Sequence, residues 1–136
     1  MNLVEVIKTK AAAMPQVEMP TKHFLVDGMY LRQIRIPEGT MFMGRKHKKF
    51  HFFLCLAGGA WVESDSGPVN IKAGMVLLCN PGSQRIGITY ADTVFATVHR
   101  TEETMLKNIE DDCVEFDSGH RYGTGNEILQ TLPEAL

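Results

Sequence analysis

The sequence predicts a single all-β domain built as a sandwich or barrel of short antiparallel strands. Between residues 21 and 99, nine short β-rich runs alternate with clusters of turn-forming residues, which is typical of such folds. The chain has 136 residues, of which 44% are hydrophobic and 22% charged. This composition is that of an ordinary soluble globular protein, and the length suffices for one domain with an adequate core.

The nine predicted strands lie at 22–26, 29–36, 40–44, 50–57, 60–64, 69–72, 75–79, 84–90 and 93–99. The breaks between them fall at Asp27-Gly28, Pro37-Glu38-Gly39, Gly58-Gly59, Asp65-Ser66-Gly67-Pro68 and Pro81-Gly82. Glycine supplies the positive φ that many turns need, proline presets φ, and aspartate bonds its own backbone. Many short antiparallel strands with few exposed edges are typical of a jelly roll.

Helical patterns flank the strands on both sides. Leu3, Val6 and Ile7 have helical spacing and predict a short amphipathic helix over 2–13, ended before Pro15. A second helix is predicted over 102–112, with Thr101 as its N-cap. We therefore divide the chain into an N-terminal helix or arm (1–20), the β domain (21–99) and a C-terminal helix and tail (100–136). The last ten residues are compatible with a short helix, a swapped arm or disorder.

Charge and cysteine content narrow the functional classes. The formal net charge of −2 argues against a dedicated nucleic-acid binder. The three cysteines show no paired spacing, which suits reduced thiols and a cytoplasmic protein. The sequence contains neither an 18-residue apolar run nor a signal-peptide layout, so we expect no membrane association. His23 and His120 are expected at the surface.

Two glycine-framed segments carry the candidate chemistry. The first runs from Gly39 to Gly58 and the second from Gly74 to Thr89. The spacing of residues in these two segments resembles that of the two motifs of the RmlC-like cupin superfamily. The matching positions are Gly39, His47, Gly58, Gly74 and Gly82, whereas Arg45 and Arg85 stand where the family has histidines and His51 stands where it has glutamate. The resemblance implies an all-β, single-domain cupin jelly roll (a double-stranded β-helix) with short flanking helices at both ends.

The stretch from Gly39 to about Asp112 also resembles small cupin-like proteins of tailed bacteriophages. The similar segments are Gly44-x-x-His47-Lys48-x-x-His51, Pro81-Gly82-x-x-Arg85-x-Gly87, and the run from Asp92 to Glu110. Lys49 departs from this pattern, where we expect histidine, and removes one potential metal ligand. This resemblance implies action in the host cytoplasm and supplies no reaction.

Strand periodicity places the candidate residues. Residues two apart in a strand share a face, so His51 points to the same side as Phe53 and Cys55. In a cupin this side lines the cavity, and the resemblance places Arg45, His47, His51 and Arg85 there. The opposite side carries Phe50, Phe52, Leu54 and Leu56. It is too apolar for a solvated face, so we expect a second sheet or a partner subunit to cover it, and cupins commonly form homodimers.

The histidines suggest one possible ligand set. His47 and His51 suit zinc, iron, nickel or copper, but a stable site needs a third ligand. His99 is the natural third, and its direction depends on the loop around Ala91-Asp92. A three-residue loop places His99 across from Arg85, whereas a two-residue loop turns it to the other face.

The arginines suggest a different occupant. A guanidinium cannot ligate a cation, but it grips a carboxylate or phosphate bidentately. The favoured interpretation is therefore a small-molecule-binding protein whose pocket of Arg45, His47, His51 and Arg85 takes an anionic ligand without turnover. One alternative is a metal-dependent enzyme, an isomerase or an oxygenase, in which His47, His51 and His99 hold zinc, nickel or iron. Another is a structural or assembly protein of a phage.

Overall fold

A computed structural model describes residues 17–64, 66–114 and 128–130 of the chain. The strands are β1 (Thr21–Val26), β2 (Met29–Ile36), β3 (Met41–Met43), β4 (His51–Ala57), β5 (Gly59–Ser64), β6 (Gly67–Lys72), β7 (Val76–Cys79), β8 (Ile86–Thr89), β9 (Thr93–Arg100) and β10 (Ile128–Gln130). The helix α1 spans Leu106–Cys113. The nine strands predicted between residues 21 and 99 are all present, with ends that differ by at most two residues.

The strands form two sheets that pack face to face. The six-stranded sheet has the order β10-β1-β2-β9-β4-β7, and the four-stranded sheet has the order β3-β8-β5-β6. Buried side chains of both sheets form one core, including Phe53 and Phe95 from the first and Phe42, Val62 and Ile71 from the second. The predicted all-β jelly roll is therefore confirmed.

β4 shows the alternation that its sequence predicts. His51, Phe53 and Cys55 are buried, whereas Phe52 and Leu56 on the other face are each 50% exposed. The four-stranded sheet packs against the inner face of β4, so within the described residues no second sheet covers Phe52 and Leu56. The side with the apolar excess is the outer face of the six-stranded sheet.

A glycine is required where β4 turns into β5. Gly58 has a φ of 70°, and a Cβ on this residue would lie 2.2 Å from the backbone oxygen of Asp92. A larger residue would therefore clash with the backbone just before β9 as well as being strained. The close approach of Gly58 to Asp92 sets the β4–β5 turn against the start of β9. It therefore helps to position β4 and β9, the two strands that carry the buried histidines His51 and His99.

The C-terminal part differs from its predicted form. Helix α1 begins at Leu106 rather than 102. The Thr101 hydroxyl accepts a hydrogen bond from the Glu103 amide and donates one to Asp112. Thr101 therefore closes a local turn and is not the helix N-cap. Residues 128–130 form a strand that pairs in parallel with β1, an element that the sequence did not predict.

The predicted N-terminal helix over 2–13 lies outside the described residues. Ile109 and Cys113 of α1 are buried and pack with Tyr30 of β2. Within the described part of the chain, no helix is long and apolar enough to cross a membrane.

Candidate functional site

Three histidines from separate parts of the sequence meet inside the barrel. His47 precedes β4, His51 opens β4 and His99 lies near the end of β9. Their ring centroids are 3.9 Å (His47–His51), 4.8 Å (His51–His99) and 5.2 Å (His47–His99) apart. One potential ligand atom from each lies within 4.8 Å of the others. These are the same three histidines that the sequence analysis named as possible metal ligands.

Strand pairing accounts for the direction of His99. β9 lies between β2 and β4, and Val98 pairs with Phe52, which sets His99 beside His51. His99 is buried like Thr93 and Phe95 on the same face of β9. The loop at 90–92 has three residues, but β8 and β9 lie in different sheets. A three-residue loop is the case for which the sequence analysis placed His99 across from Arg85, but the inward direction of His99 follows from the pairing of β9 with β2 and β4 rather than from this loop.

His47 lies in a loop and is held by backbone contacts. Its amide donates to Ser83 O (3.1 Å), and its carbonyl accepts from the Gly82 amide (2.7 Å). His47 also forms an isolated bridge with Val114, directly after α1. Residues 44–46 and 48–50 are not in a strand, so strand periodicity does not fix the direction of Arg45 or Lys49. Instead, Gly82 and Ser83 of the second glycine-framed segment hold the backbone of His47 in place.

The three imidazoles are neutral at pH 7. Burial is the main cause that lowers the pKa of His47 and of His99 to about 3; the neighbouring histidines of the cluster and then Arg32 also contribute. Burial also lowers the pKa of His51, with a smaller contribution from the Arg85 guanidinium. Neutral imidazole is the form that binds a metal ion, so the cluster does not need to lose protons before it can act as a ligand set.

Hydrogen bonds orient two of the rings and leave a nitrogen of the third unsatisfied. His51 Nδ1 lies 3.3 Å from the Lys49 carbonyl oxygen, and donation from Nδ1 leaves Nε2 as the acceptor. His99 Nε2 lies 2.8 Å from Thr97 Oγ1. His47 Nδ1 is buried and has no hydrogen-bond partner among the described residues. A buried polar nitrogen without a partner is costly, and an electron-pair acceptor such as a metal ion would satisfy it.

The two arginines that the sequence analysis singled out lie close to this cluster. Arg85 donates from Nη2 to Cys79 Sγ (2.8 Å), and its guanidinium carbon lies 5.7 Å from the Phe53 ring centroid. Cys79 pairs with His51 in the ladder between β4 and β7, so Arg85 approaches His51 from the β7 side. Arg45 is half-buried in the loop before His47 and is one of the cations that lower the pKa of that histidine.

Lys49 connects the histidine loop to α1. Its Nζ lies 2.6 Å from Asp112 Oδ2, which also accepts a hydrogen bond from Thr101. The Lys48 amide donates to the Cys113 carbonyl (2.9 Å). The sequence analysis treated Lys49 only as the loss of a possible ligand. The position of Lys49 between His47 and His51 is the sequence feature that could have indicated a role in holding these two histidines in place.

His23 is not the surface residue that the sequence analysis expected. It is half-buried, stacks on Tyr30 at a centroid distance of 5.7 Å, and shares a 2.5 Å hydrogen bond between its Nδ1 and the Tyr30 hydroxyl. Tyr30 in turn stacks on His99 at 5.5 Å. Burial, aided by the positive charge of Arg32, lowers the pKa of His23 to about 4. His120 lies outside the described residues.

Comparisons with solved structures identify the fold. No protein-family model and no curated protein matches the sequence. A cupin superfamily protein from Desulfitobacterium hafniense superposes with a TM-score of 0.54 at 12% identity, covering 68% of this chain and 87% of that one. The Cupin_2 domain of an XRE family transcriptional regulator from Enterobacter cloacae gives 0.53 at 10% identity, covering 64% and 100%.

A cupin-2 domain containing protein from Shewanella frigidimarina gives a TM-score of 0.51 at 9% identity, covering 74% of this chain and 94% of that one. At such low identity the likeness shows the fold alone. The chain therefore has the cupin fold that its glycine-framed segments resemble. The closer resemblance to phage proteins stays a prediction.

Proposed function

We propose that this protein is a metal-binding cupin whose centre takes a small anionic ligand. His47, His51 and His99 would hold one first-row transition ion, with zinc, nickel and iron as the candidates. Arg85 and Arg45 would hold the ligand beside it. The proposal combines the anion pocket and the metal set that the sequence analysis treated as alternatives.

The observation that carries the metal assignment is the convergence of the three imidazoles. Their ligand atoms lie within 4.8 Å of one another, and their lowered pKa values keep the nitrogens unprotonated. The buried, unpartnered Nδ1 of His47 also fits a metal-loaded state. Three imidazole nitrogens suit zinc, nickel or iron and leave coordination positions open.

Arg85 supports the anionic part of the proposal. Its Nε is buried and finds no hydrogen-bond partner in the described part of the chain, although Nη2 donates to Cys79. A guanidinium with a spare buried donor is well suited to an oxyanion. Arg85 lowers the pKa of His51, so its charge acts on the histidine cluster. An anion at this place would reduce the repulsion between guanidinium and metal ion.

A bound transition ion would act as a Lewis acid towards an oxygen of the ligand. The surrounding residues would orient and retain the ligand: Arg85 from the β7 side, and Arg45 from the loop before His47. A binding role without turnover remains the favoured form of the proposal. The enzymatic form, an isomerase or oxygenase, would use the same three histidines and the same arginine anchor.

Elemental analysis of the purified, untagged protein tests the metal assignment. We expect close to one equivalent of a transition metal by plasma mass spectrometry, and loss of most of it in His47→Ala. His23→Ala is the matched control, because His23 is also partly buried yet lies outside the cluster. Protein that is metal-free and takes up no added zinc, nickel or iron would refute the assignment, as would equal metal content in both variants.

A further inference from the structure

The outer face of the four-stranded sheet carries two exposed aromatic side chains that lie next to each other. Trp61 of β5 is 48% exposed, and Tyr90, directly after β8, is 41% exposed. Their neighbours in sequence, Ala60, Val62 and Thr89, are buried, so the alternation along the strands directs both rings away from the core. The ring centroids are 6.4 Å apart and the ring planes are tilted by 58°. The pair therefore presents two apolar walls at an angle to each other.

Tyr90 is held in this position at both ends. Its amide donates to the Gly59 carbonyl (3.1 Å), and its hydroxyl donates to Asn70 Oδ1 on β6 (2.6 Å). A Cβ on Gly59 would lie 2.2 Å from the Tyr90 hydroxyl oxygen and 2.5 Å from Cζ. The ring thus crosses β5 directly above a residue that has no side chain. An exposed aromatic ring whose conformation is already fixed loses little entropy when a ligand binds.

Hydrogen-bond donors stand beside the two rings. Asn70 pairs with Trp61 in the ladder between β5 and β6, and because its Oδ1 accepts from Tyr90, its amide nitrogen is left as a donor. The Trp61 indole N–H has no hydrogen-bond partner among the described residues. Glu63 and Lys72 are exposed on the same face, and their charges are opposite. This face therefore suits an uncharged ligand that offers apolar groups and carbonyl acceptors.

We propose that Trp61 and Tyr90 bind a proline-rich segment of a partner protein in the polyproline II conformation. A polyproline II backbone has no internal hydrogen bonds, so its carbonyl groups can accept from the N–H donors beside the rings. Aromatic-lined surfaces recognise such segments because the peptide is already ordered before it binds. A single-stranded nucleic acid would also stack on the rings, but it requires a positively charged track, which Glu63 and Lys72 do not provide. This site is separate from the proposed metal centre, which lies between the sheets.

Titration of the protein with octaproline tests this inference, because Trp61 is the only tryptophan of the chain and its fluorescence reports on this site alone. We expect a saturable blue shift of the emission with octaproline and no change with a Gly-Ser peptide of the same length. Tyr90→Ala should weaken octaproline binding at least about tenfold, as expected for a central aromatic contact. Val76→Ala is the control, since Val76 is an exposed apolar residue (59%) of the six-stranded sheet, and it should leave the affinity unchanged.

Gly59→Ala tests whether the fixed arrangement of the rings matters, because the added methyl group displaces the Tyr90 ring while both aromatic side chains are kept. We expect this variant to bind octaproline more weakly than the wild type does. If Tyr90→Ala fails to fold, Tyr90→Phe keeps the ring, loses the bond to Asn70 and should weaken binding by a smaller factor.

Three outcomes would overturn the inference. The first is a wild type whose Trp61 emission does not respond to octaproline, and the second is equal octaproline affinity in the wild type and the Tyr90 variant. The third is a response to cellohexaose but not to octaproline, which would assign the two rings to an oligosaccharide instead.

Discussion

Among the single residues, the buried histidines have the clearest physical consequences. An imidazole taken out of water resists protonation, and for His23, His47, His51 and His99 burial is the largest cause of the lowered pKa. The lowered pKa keeps the three clustered rings in the neutral form that binds a metal. For His23, which is outside the cluster, the lowered pKa means that acid destabilises the fold.

The contribution of His23 to acid stability can be isolated with His23→Phe, which keeps an aromatic ring against Tyr30. In the unfolded chain His23 protonates near pH 6.5, whereas in the folded protein it stays neutral down to about 4. The unfolded state therefore binds more protons in this window, and the free energy of unfolding falls as the pH is lowered through it. The loss is at most about 3 kcal/mol and is reduced by partial exposure of the ring.

Urea unfolding of the metal-free protein at pH 7 and pH 5 measures this effect. The wild type should lose more stability between the two pH values than His23→Phe does. Identical losses in the two proteins would show that His23 does not resist protonation in the fold.

Among the elements, α1 and the histidine loop act as one unit. The ion pair of Lys49 with Asp112 joins them, and the Lys49 carbonyl is the acceptor that orients His51. Thr101, at the end of β9, donates to the same carboxylate. The chain thus uses a residue between two proposed ligands to fix their loop against a distant helix, in the manner of outer-shell partners at metal sites.

We predict that Asp112→Asn weakens metal binding without abolishing it. Loss of the Lys49 ion pair loosens the loop of His47 and His51, and a decrease in affinity of about 10-fold is typical for an outer-shell partner. Competition with a chromogenic chelator measures the dissociation constant. Glu63→Gln removes an exposed carboxylate from the other sheet and should leave the affinity unchanged. Equal affinities in the two variants would contradict a positioning role for Asp112.

Sequence reasoning succeeds where structure is local and fails where distant segments meet. The alternation of β4 is a property of seven adjacent residues, so the inward direction of His51 was predictable. The direction of His99 was not, because it follows from pairing with β2 and β4 rather than from the loop after β8. The contact between Lys49 and Asp112 joins residues 63 apart, and the inward position of Arg32 depends on the ladder with β9. No local pattern indicates either of them.

At the scale of the whole molecule, the outer face of the six-stranded sheet carries a row of apolar side chains. The strand register aligns Phe24, Leu31, Val98, Phe52 and Leu78 in one apolar row across five strands. Leu78 is 62% exposed at the β7 end. Contiguous apolar surface of this kind is typical of protein–protein interfaces. The expected homodimer, with a second copy against this face, thus remains our prediction.

We predict that Leu78→Lys converts a dimer into a monomer, because it places a charge within the apolar row that would form the contact. Sedimentation equilibrium measures the mass. Trp61→Lys is the control, since Trp61 is comparably exposed (48%) on the outer face of the other sheet and should leave the dimer intact. A wild type that is monomeric at high concentration would contradict the prediction, as would a dimer that survives Leu78→Lys.

The central claim is that His47, His51 and His99 bind one metal ion together, and X-ray absorption of the zinc-loaded protein tests it most directly. We expect a shell of nitrogen ligands at about 2.0–2.1 Å from zinc, with the outer-shell scattering of three imidazole rings. A spectrum with oxygen ligands and no imidazole scattering would contradict the claim.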